Sequence, residues 1–454
     1  MRARSRWMMN PPHSTVTSGP VSGMKPVSQL GRHLAGLTTL CLTSLLLIGC
    51  QTSQQGGVGP EIPKAFAWWP PFPDEPRVQF VASYEHSEDI LRQEESALDR
   101  ALFGREVRNV VAVKKPYGVE MWNGSIYVCD IRGQQVVVFD LVNKQVRVMG
   151  TTGLQTLSQA SDIAIAPDGM KYVSDGIRGV VFVFDRNDRY ITMFGHDEFK
   201  PTGVAVYGDR LYTCDFASQS IVIMDRRTGE VLGSIGERGP DDGQFVRPLG
   251  IDTDTDGNIY VTDVIKCRVQ KFSPEGELLD AFGSLSDNFG SFYRPKHVAV
   301  GSDGTIYIVD SSFQNVQIFD QEGQILTFFG SAGPHPGSMF LPVGVSVVED
   351  PKDLALFEPY YHPDFNVERI VLVTNQMGDR RVAVYAVGQL RDGVTAADIQ
   401  RQAAEINMGL SAKQSGGESI GPEGAPAEPA DEQQSNPPDE GTPDEAAGDS
   451  QPPE

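Results

Sequence analysis

Cysteine and histidine are scarce, five and seven in 454 residues. Five thiols cannot build a disulfide scaffold, and seven imidazoles leave any metal or acid–base site few candidates. No Cys-x-x-Cys-His run occurs, which excludes covalent haem attachment by that motif. Positive charge is short as well: 38 Lys and Arg stand against 60 Asp and Glu, a formal balance of −22. A surface that neutralises phosphates must be basic, so nucleic acid is not expected as the partner. The apolar run from Leu34 to Ile48 has 15 residues, short of the roughly 20 that a spanning helix needs. What remains is an ordinary apolar share of 40% and an aromatic share of 9%. The length suits about three average domains, or one large β architecture with appendages.

The two ends read as an address and a tail. Residues 1–49 hold Arg2, Arg4, Arg6, Lys25 and Arg32 and no acid, and the apolar run follows them. This is the layout of a signal peptide, and Met24 is an alternative start that leaves conventional signal proportions. The run closes with Leu47-Ile48-Gly49-Cys50, which resembles the bacterial lipobox. That resemblance makes Cys50 the lipidated first residue of the mature chain. It implies an anchor in the cell envelope, with Gln51 favouring the outer membrane. A tether and a Trp/Pro-rich lead-in occupy 50–75. At the other end, 413–454 carries eleven acids and no base beyond Lys413. Such a stretch buries too little apolar surface to fold and is expected to be disordered.

Between them lies a repeat. Its first element reads Pro-x-Gly-Val-Ala-Val and recurs six times, from Pro116, Ala160, Pro201, Pro248, Pro295 and Pro342, at spacings of 44, 41, 47, 47 and 47. Its second element, Gly-x-Ile-Tyr-Val-x-Asp, ends at Asp130, Asp175, Asp215, Asp263, Asp310 and Asn375. A β-branched third run ends in Phe-Asp or its equivalent, and a fourth short run ends in Gly. Four short strands per unit of about 45 residues predict the blades of a propeller. The link Gly236-x-x-Gly239-x-x-x-Gly243-Gln-Phe245-x-x-Pro248, echoed by Gly330 to Pro342, resembles the NHL repeat family. The fold class is therefore all-β, a six-bladed NHL-type β-propeller over 76–390 with short flanking helices. The sixth unit lacks a fourth strand of its own. Arg77 to Tyr84 (77–84) is expected to supply it and close the ring. A helix is predicted over 87–103 and another over 391–412, the latter opened by the capping box Thr395-Ala-Ala-Asp398.

Strand order places the Pro-x-Gly ends, the Asp ends and the links between blades on one face, called upper here. The Asp series reads as structural, since Asp at a strand exit caps the turn that follows. Departures from the repeat are more informative. The glycine position beside the pore holds Asp162 in blade two and His297 in blade five, opposite each other in a six-fold ring. The preceding position holds Tyr117 and Lys296 among others. These four residues form the candidate upper-face ligand site. His196 and His335 lie in upper-face links and join His297 as the candidate metal ligands. Arg247, Arg294, Lys115 and Lys200 make the upper face more basic than the total charge implies. Cys129, Cys214 and Cys267 read as buried thiols. The insertion of about 349–366, with Phe357-Glu-Pro-Tyr-Tyr-His362, reads as an exposed aromatic binding loop or a lower-face cover.

Two functions follow. The first is a non-catalytic scaffold that binds a protein or glycan of the cell envelope and is held at the membrane by its N-terminal lipid. No cofactor is needed for it. The alternative is a metal-dependent lyase or hydrolase, because the fold and the Tyr172-Val-Ser-Asp-Gly176 stretch resemble the peptidyl-hydroxyglycine amidating lyases. That resemblance implies a histidine-held metal near the axis, with zinc or calcium as the ion. Fold alone licenses neither reading.

Overall fold

The computed structural model describes residues 66–91, 110–153, 156–196 and 198–404. The leader, Cys50, the acidic tail and most of the helix expected over 87–103 lie outside the described residues, where only Glu88–Leu91 of that helix is seen.

Six antiparallel sheets follow one another along the chain. Blade 1 is Pro116–Trp122, Ser125–Asp130, Gln135–Asp140 and Gln145–Met149. Blades 2 to 5 repeat it from Ala160–Ile165, Pro201–Tyr207, Pro248–Thr253 and Pro295–Val300 as innermost strands. Blade 6 takes Pro342–Val348, Phe365–Asn375 and Val382–Leu390 from one end of the chain and Val78–Tyr84 from the other. The pairing of Val78 with Val387 through Tyr84 with Val382 closes the ring. A short outermost strand, Trp68–Trp69, adds to that sheet.

Each blade is apolar on both faces, so each must pack on two neighbours. Six buried clusters result, one for each pair of adjacent blades, and the cluster between blades 6 and 1 shows that the ring is complete. That last cluster also takes in Trp68, the blade 6 insertion and Ile399. Ile399 belongs to a helix seen over 396–404. Its start is the expected capping box: Thr395 N–H donates to Asp398 Oδ2 at 3.0 Å, and Asp398 N–H to Thr395 Oγ1 at 3.3 Å.

All six innermost strands carry a one-residue irregularity at the Pro-x-Gly position. There the innermost strands of adjacent blades nearly touch. A Cβ on Gly203 would sit 2.3 Å from the Leu249 carbonyl oxygen of the next blade, so glycine is a requirement of close approach. In blades 2, 4 and 6 a hydroxyl stitches this region. Ser174, Thr262 and Thr374 accept the bulge N–H of Asp162, Gly250 and Gly344, and each donates to a carbonyl of the next blade: Thr202, Lys296 and Tyr117. Blades 1, 3 and 5 carry Cys129, Cys214 and Val309 at the equivalent position.

The Asp series does more than cap turns. Asp130 accepts the N–H of Gly133 in the following turn, and also those of Lys114 and Lys115 in the link entering its own blade. Asp175, Asp215, Asp263 and Asp310 repeat the pattern, and Asn375 accepts from Phe340. Each acid thereby fixes the chain at the upper rim.

Candidate functional site

Where the repeat calls for glycine, Asp162 and His297 project into the channel from opposite blades. Their side chains meet across the axis, with His297 Nε2 3.1 Å from Asp162 Oδ2. The same oxygen accepts the Val204 N–H of blade 3 at 3.0 Å. The space that Asp162 fills is available only because blade 1 has glycine there: a Cβ on Gly118 would lie 2.3 Å from Asp162 Oδ1. Both side chains are buried, His297 at 8% exposure, and His297 Nδ1 has no hydrogen-bond partner among the described residues. Burial acts on His297 to lower its pKa. The charge of Asp162, the hydrogen bond to it, and the charges of Asp252 and Glu120 outweigh burial and raise the pKa above the ordinary histidine value.

The bridge divides the channel. Below it the fifth position of the repeat faces inward, with Ala164, Ala205 and Ala299 in three blades but Glu120, Asp252 and Ser346 in the others. Glu120 Oε1 accepts from the Ser346 hydroxyl at 2.9 Å and the Met121 N–H at 3.1 Å. Enclosure pushes its carboxyl up to about 8. Asp252 accepts the N–H groups of Val300 and Thr253, both at 2.8 Å, and enclosure pushes it up to about 6. Sequence reading compared the third letters of the repeat and missed these acids. Comparing the fifth letters in the same way finds both.

Above the bridge the second position forms the wall: Tyr117, Ser161, Thr202, Leu249, Lys296 and Val343. Tyr117 is pushed up to about 12 by enclosure, against the pull of Arg247 and Arg294 and with a push from Asp162. Lys296 is lowered to about 8, first by enclosure and then by repulsion from Arg294 and Arg247, with Lys115 adding and Asp310 opposing. Tyr117, Asp162, Lys296 and His297 thus belong to one place, the upper half of the axis. His196 and His335 do not join them in a metal set. His196 is exposed against the Phe199 ring at 4.5 Å, and His335 bonds to Ser331 and to the Pro336 carbonyl. Among the described residues no group of three His, Cys, Asp or Glu is placed to hold a metal ion. With one nitrogen of His297 engaged by Asp162 and no second imidazole beside it, this donor set does not fit a histidine-held zinc. Cys129, Cys214 and Cys267 are buried free thiols, and burial pushes each up.

The lower face is built differently. Of the two readings of the insertion, an exposed aromatic loop and a cover, the burial fits the cover: Phe357, Tyr360, His362 and Phe365 pack under Phe66 and Trp68 of the lead-in. Gln79 of the closure strand ties the insertion down, donating to the Tyr360 carbonyl and accepting the His362 N–H. A polar cleft of about 540 Å³ between the insertion and blades 1 and 2 is lined by Trp122, Tyr127, Arg147, Asp188 and Asp353. Its charges are satisfied locally, since Arg147 pairs with Asp188 and Lys171 reaches Asp188 at 2.8 Å.

The fold places the chain in the class of six-bladed β-propellers. No protein-family model matches it, and no curated protein does. Solved structures to which it is similar include a protein of unknown function from Bacteroides thetaiotaomicron, 18% identical over 61% of this chain and 70% of that one, with a TM-score of 0.44. Virginiamycin B lyase from Staphylococcus aureus is 9% identical over 61% and 96%, with a TM-score of 0.42. Regucalcin from Agrobacterium tumefaciens, a calcium-binding protein, is 13% identical over 62% and 92%, also at 0.42. Likenesses this distant carry no argument about the site.

Proposed function

We propose that this protein is a lipid-anchored propeller of the bacterial envelope that acts as a non-catalytic binding scaffold and meets its partner, a protein or glycan, with the upper face. The observation that carries the reading is the composition of that face. Its turns and links leave Ile177, Phe216, Ile265, Tyr293 and Met377 between 43% and 70% exposed. Arg247 lies over the Phe216 ring at 5.5 Å. Exposed aromatics, Met and Arg around a concave centre are what interfaces are enriched in. The anchor rests on Cys50 alone, since several acyl chains on one residue hold a protein firmly.

Two experiments test the two halves. Labelled palmitate should enter the wild-type chain and not Cys50→Ala, which should leave the membrane fraction. Photo-crosslinking residues at Phe216 and Ile265 should trap one envelope component, while one at Leu326 on the outer edge should not. Absence of adducts at both upper positions sinks the interface.

A second reading, a lyase or hydrolase, is favoured by the Asp162–His297 pair, in which a carboxylate orients an imidazole whose other nitrogen is free. Turnover lost in His297→Ala and kept in Cys129→Ala would establish it.

A further inference from the structure

The upper channel is a cup. Its floor is the Asp162–His297 bridge and its wall holds Lys296 and Tyr117. Its rim is set by the residue before each innermost strand: Lys115, Gln159, Lys200, Arg247, Arg294 and Leu341. Four of the six are cationic. Their backbones are fixed alike, because the N–H of Lys115, Lys200, Arg247 and Arg294 each donates to the acid ending its own blade's second strand, at 2.8–3.0 Å. The four side chains therefore start from equivalent points around the mouth.

We propose that this cup is a site for a phosphate-type oxyanion, held by Arg247 and Arg294 from the rim with Lys115 and Lys296 completing the grip. The inference rests on the upper face being the binding end. Composition works against such a cluster by chance, for the chain as a whole carries −22. Among the described residues no ion pair engages Lys115, Lys200, Arg247, Arg294 or Lys296, whereas the charges of the lower cleft pair with one another. Cations gathered without an ion pair of their own repel one another, and at Lys296 the repulsion from Arg294 and Arg247 adds to burial, the larger cause, in lowering the ammonium, against the pull of Asp310. An anion of two charges relieves it. Guanidinium groups match tetrahedral oxyanions in paired hydrogen bonds, and ammonium groups add point charge. The carboxylate in the floor is not bare, because Asp162 Oδ2 is engaged by His297 Nε2 at 3.1 Å and by the Val204 N–H at 3.0 Å. His297 Nδ1, buried and without a partner, is a further unsatisfied group in that floor.

The phosphate can come from a soluble phosphorylated sugar or from a lipid headgroup, and the test separates them. Full-length protein is titrated calorimetrically with inorganic pyrophosphate and with glucose 6-phosphate at low salt. As the Cys50→Ala chain, which carries no acyl group, it is also sedimented with vesicles of phosphatidylcholine, with and without phosphatidylglycerol. Saturable binding is expected to weaken about tenfold or more in the Arg247→Gln/Arg294→Gln double variant, which removes two charge-assisted contacts. Lys296→Met should abolish the proton uptake that accompanies binding near pH 8, seen as a dependence of the heat on buffer ionisation. Arg391→Gln on the lower face should change nothing. Binding of the soluble phosphates assigns a sugar-type ligand, and binding only of phosphatidylglycerol vesicles assigns a headgroup. Either supports the cup provided the double variant loses it. No binding in any arm, or binding indifferent to the double variant, overturns it. Crosslinks at Phe216 without anion binding would sink the cup and leave the interface standing.

Discussion

Glu120 holds its proton in the folded chain up to about 8, whereas an unfolded chain releases it near the ordinary glutamate value of about 4.3. Between those limits the folded state binds more protons than the unfolded one. The stability this creates is complete below the unfolded value and is lost as pH rises through about 8. Asp252 acts in the same sense up to about 6, and the raised His297 adds to it, since its protonated form is the one the channel favours. The axis therefore makes the propeller less stable on going from acid to mildly alkaline solution. Glu120→Gln keeps an acceptor for the Ser346 hydroxyl and removes the charge. It should leave the urea midpoint nearly unchanged at pH 4, below the unfolded value, and raise stability at pH 8.5 by roughly 1–3 kcal/mol, a discounted share of the shift. Equal midpoints for variant and wild type at both values would show that Glu120 ionises freely. For the bridge, the His297 imidazole resonances should titrate above the ordinary histidine value and fall below it in Asp162→Asn.

At the scale of the strand, Thr262 takes the Gly250 N–H at 2.9 Å and gives its own proton to the Lys296 carbonyl at 3.2 Å, so one hydroxyl joins blade 4 to blade 5. Thr262→Val keeps the shape and leaves a buried donor and acceptor without partners, which should cost about 1–3 kcal/mol in denaturant unfolding. Val309, at the same position in blade 5, is the internal reference: Val309→Ala should cost only packing, about 1–2 kcal/mol. A Thr262→Val variant as stable as wild type would show that water takes over both bonds. These stitches were invisible in the sequence, although the blades that carry them were legible there. The letters Gly, Pro, Asp and the β-branched runs answer to constraints within one blade, repeated six times, and repetition makes them readable. Asp162 and His297 were readable for the complementary reason, since each breaks a repeat at a position where only glycine otherwise fits. Glu120 and Asp252 break the same repeat two residues later and were there to be found. The burial of the insertion was one of two open readings, and nothing in the sequence chose between them. Its ring partners Phe66 and Trp68 lie nearly 300 residues away, and no periodicity connects them.

For the molecule as a whole, the ring stands on a single sheet made from both ends of the described chain. Val78–Tyr84 contributes Val78 and Val81, both fully buried, and Val81 belongs to the cluster that joins blade 6 to blade 1. If that strand leaves, blade 6 loses its outer half and the cluster between blades 6 and 1 is exposed to water. The remaining blades then form an open row held only by neighbour contacts, as in a solenoid. A ring distributes the loss differently from a row, because each blade is held from both sides until the closure fails. Val81→Asp places an unpaired carboxylate in that cluster and should destabilise the protein by roughly 3–5 kcal/mol. The telling measurement is amide hydrogen exchange at blade 3, diametrically opposite the closure. If the ring unfolds as one unit, Leu211 to Cys214 and Ile221 to Met224 should lose protection in step with Val371 to Thr374 of blade 6. Protection kept in blade 3 while blade 6 exchanges freely would show that the blades open one at a time. In that case Arg247, Arg294 and Lys296, carried by blades 4 and 5, would keep their places after damage at the closure, whereas Lys115 and Tyr117 of blade 1, next to the closure, would not.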